Sequence, residues 1–140
     1  MITVSELKQY FETLTLESVQ QMERFYTPDA YFRDPFNEVA GLDKVKPIFA
    51  HMFEALHEPR FVILEQVVQG DRVVLTWDFT FRIKSYKPDV TQCIHGLSLL
   101  RLAADGRVAW HRDYWDAAGE LYEKLPVIGG LMRWLKRKFA

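Results

Sequence analysis

The chain has 140 residues, of which 49% are hydrophobic and 26% are charged. This length fits one domain with a single core and is too short for two cores of ordinary size. Eighteen basic and nineteen acidic side chains leave a net charge of -1, so no overall field exists that would hold a nucleic acid. The single cysteine excludes an internal disulfide and a metal cluster of several cysteines.

The N-terminal segment shows no pattern typical of export or membrane insertion. Residues 1–6 lack the basic stretch and apolar core of a secretory signal, and no apolar run approaches the roughly 18 residues of a spanning helix. We therefore expect a soluble cytoplasmic protein with neither a nucleic acid nor a membrane as partner. Aromatic residues make up 14% of the chain, which is more than a plain scaffold needs and indicates a lined pocket or a covered sheet face.

The first half of the chain predicts three helices and one short strand. Ser5 caps the first helix, whose apolar positions recur at helical spacing: Leu7, Tyr10, Phe11 and Leu14. A second helix over 17–25, a turn at Thr27-Pro28-Asp29, a strand over 30–34 and a loop over 36–40 follow. Asp43 caps a third helix over 44–56, with Pro47 in its first turn, where a missing N–H costs little.

After Pro59 the hydrophobic period becomes that of strands, which cover residues 61–69, 72–84, 90–102 and 107–116. Gly96 inside the third of these strands predicts a bend or bulge. Helices followed by antiparallel strands predict an α+β fold, in which a twisted sheet curls over the early helices as a cone. We expect one domain over 1–140, with its core over about 5–116 and a helical extension over 117–140.

Both faces of the long strands carry large side chains. In the strand over 72–84 the odd positions are apolar, and the even positions carry the polar groups. In the last strand, His111, Asp113 and Trp115 share one face, and Trp110 and Tyr114 share the other. A sheet with one face in water is more cleanly divided. We interpret four residues as an outer, subunit-facing surface and predict a homodimer: Trp77, Phe79, Trp110 and Tyr114.

Three aspartates lie in aromatic surroundings. Asp34 lies between Phe32 and Phe36, where a charge is costly to hold, so it is a candidate for proton transfer. The alternative is that Asp34 caps a turn before the following proline or pairs with a neighbouring arginine. Asp78 is unusual in the middle of a strand and otherwise forms a buried salt bridge. Asp113 lies beside aromatic residues and otherwise forms a surface ion pair.

Two histidines and one tyrosine are further candidates. His111 and His95 are candidate proton shuttles or ligands, but their spacing has no metal signature, so a structural role is preferred and no metal is predicted. Tyr10 lies on the apolar stripe of the first helix. It belongs to the core unless its hydroxyl reaches a cavity, where it would donate a hydrogen bond.

The layout and two motifs resemble the NTF2-like superfamily. Residues 25–35, Phe-Tyr-Thr-Pro-Asp-Ala-Tyr-Phe-Arg-Asp-Pro, look like its passage from the second helix to the first strand, and residues 111–116, His-Arg-Asp-Tyr-Trp-Asp, look like its last strand. The superfamily includes ketosteroid isomerases, limonene-epoxide hydrolases and SnoaL-like polyketide cyclases, and the resemblance covers about residues 5–116. It implies an α+β cone whose cavity is faced by Asp34, Asp78 and Asp113, and it matches no single member.

Two enzyme types of the superfamily imply different site residues. The resemblance to ketosteroid isomerases implies Asp34 as general base and Tyr10 as oxyanion donor. Ser98 stands where that family has its second donor, an aspartic acid. The resemblance to limonene-epoxide hydrolases instead implies Asp113 as the base that activates water and Asp78 as its partner. Three positions depart from that family's arginine, asparagine and tyrosine: Thr76, Asp34 and Phe32.

We expect a protein that binds a small apolar molecule in the cone and performs cofactor-free acid–base catalysis of the isomerase, cyclase or epoxide-hydrolase type. Asp34 or Asp113 moves a proton or activates water, and a hydrogen bond to the developing oxyanion comes from Tyr10, Ser98 or His111. The substrate-binding candidates are Phe32, Phe36, Thr76, Ser98 and Trp115. No cofactor is expected, because no step needs a hydride or an electron sink. The alternative is a non-catalytic ligand-binding or dimerisation module of the same fold.

The extension over 117–140 has its own prediction. Leu131, Trp134 and Leu135 share one apolar face with basic residues around it. We expect this segment to cover the cone mouth or the outer sheet, and the alternative is a helix that lies on a membrane surface.

Overall fold

The computed structural model describes residues 1–120 together with Trp134, Arg137 and Lys138. Its elements are α1 (Val4–Glu12), α2 (Leu16–Val19), a 3₁₀ turn (Met22–Arg24), β1 (Tyr26–Arg33), β2 (Glu38–Ala40), α3 (Leu42–Ala55), β3 (Leu56–Gln69), β4 (Arg72–Ile83), β5 (Gln92–Leu102), β6 (Val108–Trp115) and α4 (Ala117–Glu120). Within these residues, no helix is long and apolar enough to cross a membrane. The predicted face of Leu131, Trp134 and Leu135 lies largely outside the described residues.

The six strands form one open sheet in the order β2-β1-β6-β5-β4-β3. All neighbours pair antiparallel except β1 and β6, which run parallel and align Phe32 with His111. The helices pack on one face, where Leu7, Val45 and other apolar side chains meet the strands in the main core. The predicted α+β architecture is therefore confirmed, with one parallel pair between the second and third strands of the sheet.

The helices begin earlier than the sequence patterns predicted. Thr3, not Ser5, caps α1, since its Oγ1 accepts a hydrogen bond from the backbone N–H of Glu6. Gly41, at φ 104°, precedes α3, so the helix starts before Asp43 and Pro47 lies in its second turn. A positive φ of this size is readily available to glycine, which explains why the chain can turn into the helix there.

The predicted second helix is interrupted, and β1 is longer than expected. The stretch over 17–25 divides into α2 and the 3₁₀ turn, and Thr27-Pro28-Asp29, predicted as a turn, lies inside β1. The register between β1 and β6 shifts between Tyr26 and Tyr31. Because proline cannot donate to a ladder, this irregularity is where a strand tolerates Pro28.

The two faces of β4 are divided as the alternation predicted, but the assignment of Trp77 and Phe79 to the outer surface is wrong. The odd positions of β4 face the helices, and Trp77, Phe79, Phe81 and Ile94 form a second apolar cluster next to the main core. Even positions lie on the opposite side, which we call the outer sheet face. Its apolar and aromatic members are Val67, Val74, Leu97, Leu99, Trp110, Tyr114 and Tyr31.

Gly96 does not mark a bulge, because pairing on both sides of it is continuous. It marks a close approach instead. A Cβ at this position would lie 2.7 Å from Cη2 of Trp77 and 2.8 Å from the carbonyl oxygen of Tyr114. The absence of a side chain at Gly96 therefore leaves room for the Trp77 indole against β5.

Candidate functional site

An aromatic cleft of about 390 Å³ lies between α3 and the inner face of the sheet. This volume lies within the usual range of small-molecule sites. Eight aromatic side chains line it: Phe32, Phe36, Phe49, Phe61, Trp77, Phe79, Phe81 and Trp115. The polar lining groups in the described part of the chain are Asp34, Asn37, His51, Ser85 and Asp113. Aromatic side chains and two carboxylates thus border one space in the structure.

Asp113 is the carboxylate at the inner end of the cleft, with only 13% of its side chain exposed. Its Oδ1 lies 2.6 Å from Nε2 of His111 and 2.5 Å from Oγ of Ser98. Antiparallel pairing of β5 and β6 sets Ser98 directly opposite Asp113. In the described part of the chain, no group donates a hydrogen bond to Oδ2. Among the described residues, one carboxylate oxygen is thus anchored and the other has no donor.

The anchoring network extends to both sides of Asp113. Nε1 of Trp77 donates to Oγ of Ser98 at 3.0 Å, and the hydroxyl of Tyr26 lies 2.6 Å from Nδ1 of His111. With His111 neutral, one consistent assignment of donors and acceptors accounts for every hydrogen bond in the network. Tyr26 donates to Nδ1 of His111, while Nε2–H of His111 and the Ser98 hydroxyl donate to the Asp113 carboxylate. A negative charge on Asp113 is therefore supported by two donors.

Tyr26 supplies a fixed donor to this network. It is fully buried, and burial raises the pKa of its hydroxyl well above 10, with the nearby charge of Asp113 adding to the effect. The hydroxyl therefore keeps its proton, which it donates to Nδ1 in the arrangement with His111 neutral. The sequence patterns do not single out this residue, because they predict a turn at Thr27-Pro28-Asp29. Non-polar residues at every second position, Tyr26, Pro28, Ala30 and Phe32, are the signal that a longer strand begins at Tyr26.

Asp34 also lines the cleft, and its carboxylate organises the turn after β1. Oδ1 accepts hydrogen bonds from the backbone N–H groups of Phe36 at 2.8 Å and Asn37 at 2.7 Å, and the Asn37 side chain donates to both oxygens. The alternative in which Asp34 caps a turn thus describes its contacts in this structure. A catalytic role for Asp34 stays a prediction. Asn37, which holds it, had not been singled out from the sequence.

Tyr10 does not reach the cleft. Its hydroxyl donates to the backbone carbonyl of Ser18 at 2.8 Å, and its ring stacks on Phe25 with centroids 4.2 Å apart. Burial raises the pKa of this hydroxyl, and the nearby negative charge of Glu23 raises it further. The placement of Tyr10 as an oxyanion donor in the cavity is therefore wrong, because α1 turns this side chain toward the turn after α2.

Asp78 and Thr76 lie on the outer sheet face, so the prediction that they share the cavity is wrong. Even positions of β4 point away from the helices. Asp78 pairs with Nδ1 of His95 at 2.9 Å, and both side chains are substantially exposed. Thr76 has a buried Oγ1 that finds no hydrogen-bond partner among the described residues.

The other predicted residues lie at the cleft. Phe32, Phe36 and Trp115 line it, with the rings of Phe36 and Trp115 in edge contact at 5.6 Å. Ser98 and His111 lie behind Asp113 and border a small space of about 10 Å³, near the lower limit for one water molecule. The Ser98 hydroxyl and Nε2 of His111 are both engaged with Asp113, so the prediction that Ser98 or His111 donates to an oxyanion does not fit this arrangement.

The donor set does not form a metal centre in the described residues, where no group of three His, Cys, Asp or Glu side chains converges. Both ring nitrogens of His111 are engaged, one with Tyr26 and one with Asp113. A metal at Asp113 would have to displace one of these contacts. The geometry therefore favours acid–base use of the carboxylate.

Comparison with solved structures supports the fold. A hypothetical protein with a ketosteroid isomerase-like fold from Catenulispora acidiphila DSM 44928, in complex with trimethylamine, has a TM-score of 0.70 at 14% identity, covering 84% of this chain and 88% of that chain. A protein from Jannaschia sp. CCS1, named for the SnoaL-like polyketide cyclases, has a TM-score of 0.70 at 20% identity, covering 83% and 86%. An NTF2-like protein of unknown function from Burkholderia pseudomallei K96243 has a TM-score of 0.67 at 19% identity, covering 83% and 89%.

The family comparison is more specific than these structural similarities. No curated protein matches the chain. The model of the SnoaL-like domain matches residues 7–111, and this range ends two residues before Asp113. It therefore covers most of α1, all of α2 and α3, most of the sheet and His111, and it leaves Asp113 outside. Since the match spans well over half of the sequence, the chain belongs to the SnoaL-like domain family, within the NTF2-like superfamily.

Proposed function

We propose that this protein binds a small apolar molecule in the aromatic cleft and moves a proton on it through Asp113. The observation that carries the proposal is the asymmetric Asp113 carboxylate, with Oδ1 held by His111 and Ser98 and Oδ2 without a donor in the described part of the chain. A fixed carboxylate beside an apolar ligand site is suited to general base catalysis. Isomerase, cyclase and hydrolase reactions all use such a step.

The proton path is short and balanced. Oδ2 of Asp113 takes a proton from a C–H next to a carbonyl, and the electron pair moves to the carbonyl oxygen as an enolate. The same oxygen then returns the proton to another carbon or to the same one. His111 and Ser98 keep the carboxylate in place throughout, because each donates to Oδ1 alone. This sequence consumes no oxidant, reductant or cofactor.

Hydrogen exchange on a model ketone tests the proposal. An apolar ketone such as 2-tetralone is incubated with the protein in D₂O, and the loss of the α-proton signal is followed by NMR. We expect Asp113→Asn to slow the protein-dependent exchange by about 10²- to 10⁴-fold, the usual share of a general base. The amide keeps an oxygen that accepts from His111 and Ser98, so the network is disturbed little.

The matched control is Asp78→Asn, which removes the same charge from the outer sheet face. It should leave the exchange rate unchanged. Asp34→Asn distinguishes the role of Asp34 from that of Asp113. The turn should persist in this variant, because the amide oxygen still accepts hydrogen bonds from the backbone. Full exchange in Asp113→Asn would overturn the assignment of the base, and a loss in Asp34→Asn alone would transfer the role to that residue.

We also propose, as the alternative function, that the chain associates as a homodimer through the outer sheet face. In support, this face carries exposed large side chains, with Val67 58% and Tyr114 41% exposed. Arg101 and Arg112 lie over the rings of Trp110 and Tyr114 at 4.6 and 4.5 Å, so cations border the apolar strip. An apolar strip bordered by polar groups is typical of a protein–protein interface. The mass of the protein in solution tests this proposal.

A further inference from the structure

We infer that the ligand of the cleft carries a cationic amine. This rests on the proposed use of the cleft as a small-molecule site and specifies the chemical class of that molecule. The ammonium group would lie at the end of the cleft bordered by Asp34, Asp113, Phe36 and Trp115. A carbon skeleton attached to it would extend along the rings of β4, where Phe79 and its neighbours form the wall.

The charge of the cleft is the first argument. Among the described residues that line it, two are carboxylates and none is Lys or Arg. Asp34 and Asp113 lie close together, because the parallel register aligns Arg33 with Arg112 and each aspartate is the next residue. Two neighbouring carboxylates without a counter-ion repel an anion and attract a cation.

The two arginines next to the cleft do not form ion pairs with these carboxylates. Arg33 and Arg112 belong to a polar groove on the rim of the sheet that also touches Asp34 and Asp113. The guanidinium of Arg112 lies 4.5 Å from the centre of the Tyr114 ring. Within the described part of the chain, neither arginine forms an ion pair with Asp34 or Asp113. Among the described residues, neither carboxylate thus has an arginine or lysine partner, and an ammonium group of a ligand would supply the opposite charge.

The aromatic lining is the second argument, and it is independent of the charges. Phe36 and Trp115 meet edge to face at 5.6 Å, and further along the cleft Phe61 stacks on Phe79 at 4.5 Å and Phe79 on Phe81 at 5.0 Å. The faces of such rings attract ammonium groups, and carboxylates beside the rings strengthen this attraction. A neutral apolar ligand would use the rings but would bring no positive charge to the two carboxylates, beside which the described lining residues place neither Lys nor Arg.

A pair of shape-matched ligands tests the inference. Benzyldimethylamine is protonated at pH 7, and isobutylbenzene replaces its N–H by C–H at nearly the same shape; phenylacetate provides the anion. Dissociation constants are measured through the fluorescence of the protein, since Trp77 and Trp115 line the cleft. We expect the ammonium compound to bind about tenfold more tightly than isobutylbenzene, and phenylacetate to bind most weakly.

Variants that remove one charge test whether the preference for the amine comes from the cleft carboxylates. Asp34→Asn and Asp113→Asn should each reduce the preference for the amine several-fold and leave the affinity for isobutylbenzene unchanged. Asp78→Asn is the matched control, because it removes the same charge from the opposite face of the sheet. If Asp78→Asn reduced the preference as much as the cleft variants, the effect would be long-range charge and the inference would be overturned.

The outcomes separate this inference from the proposed function. Equal binding of benzyldimethylamine and isobutylbenzene, with exchange activity lost in Asp113→Asn, would overturn the amine inference and leave the proton-transfer proposal standing. Failure of all three compounds to bind would contradict the cleft as a ligand site and overturn the amine inference with it. Tight amine binding together with full exchange activity in Asp113→Asn would support the ligand class and reject the base.

Discussion

Asp113 shows how the role of one residue depends on what its neighbours do with their protons. Ser98 had been considered as a donor to substrate, but its hydroxyl is used on Oδ1 of Asp113 and accepts from Nε1 of Trp77. His111 is used in the same way and is itself held by Tyr26. These residues position the carboxylate, and Asp113 is the acidic member of the network and borders the cleft.

Tyr26 leads to a prediction about alkaline stability. Burial raises the pKa of Tyr26 well above 10, and burial also raises that of Tyr10. Above pH 10 the unfolded chain releases these protons while the folded chain retains them, so the free energy of unfolding falls as pH rises. Each tyrosine contributes a slope of about 1.4 kcal/mol per pH unit. Denaturant unfolding between pH 9 and 12 should show the decline, and Tyr26→Phe should remove the contribution of Tyr26.

The control for this measurement is Tyr86→Phe, in the turn between β4 and β5, which should keep the wild-type slope. The comparison uses slopes because Tyr26→Phe also removes the hydrogen bond to His111 and lowers stability at every pH. An unchanged slope in Tyr26→Phe would contradict the prediction. At pH 7 Tyr26 of the wild-type chain carries its proton in both the folded and the unfolded state. The stability difference between the wild type and Tyr26→Phe at this pH therefore reports on the loss of the donor alone.

At the scale of elements, the parallel pairing of β1 with β6 creates the site. It aligns Phe32 with His111 and thereby brings the turn at Asp34 beside Asp113. The sequence predicted which residues share a face of each strand, since that follows from alternation. It did not predict which face meets the helices, because Trp77 and Phe79 are as apolar as an interface requires. Tertiary packing decided that question and turned both side chains inward.

Other differences between prediction and structure have local causes. Asp78 is polar and lies in mid-strand, which is compatible either with a cavity or with a partner on the surface. The structure supplies that partner, His95, from the neighbouring strand. Tyr10 was correctly placed on the buried stripe of α1, but the acceptor of its hydroxyl, the Ser18 carbonyl, depends on how α2 ends. Neither contact is visible in local sequence spacing.

The close packing around Gly96 leads to a prediction about β5. A Cβ there would meet Cη2 of Trp77 at 2.7 Å, the Tyr114 carbonyl at 2.8 Å and Cβ of Trp115 at 2.9 Å. Two of these contacts are with atoms near the backbone, which cannot move away cheaply. We expect Gly96→Ala to lower the free energy of unfolding by about 1–3 kcal/mol, as overpacked sites do. It should also weaken ligand binding, because Trp77 lines the cleft.

The control for Gly96 is Gly70→Asn, in the turn between β3 and β4. Its φ of 60° suits asparagine, and nothing lies within 4 Å of a Cβ at that position. The stability change should be within about 0.5 kcal/mol, and binding should be unaffected. If Gly96→Ala proved as mild as this control in chemical denaturation, the close approach of the indole would not be a constraint on the strand.

At the scale of the whole molecule, the sheet separates two kinds of surface. Its inner face meets the helices over the main core and continues into the aromatic cleft. Its outer face exposes an apolar strip between charged groups, with the Asp78–His95 pair at one side and arginines over aromatic rings at the other. The high aromatic content is thus divided between a candidate ligand site and a candidate subunit interface.

A homodimer through the outer sheet face is therefore expected, and its disruption is the test. Light scattering should give twice the 16.5 kDa mass of the chain. Leu97 lies on this face between Thr76 and Tyr114, so Leu97→Glu would place like charges against each other in a symmetric interface and should give a monomer that is still folded. Val90→Glu makes a similar change at an exposed position before β5 and should keep the dimer. A wild-type monomer at high concentration, or a dimer that survives Leu97→Glu, would contradict this interface. Ligand affinity should be the same in both variants, because the cleft lies on the opposite face.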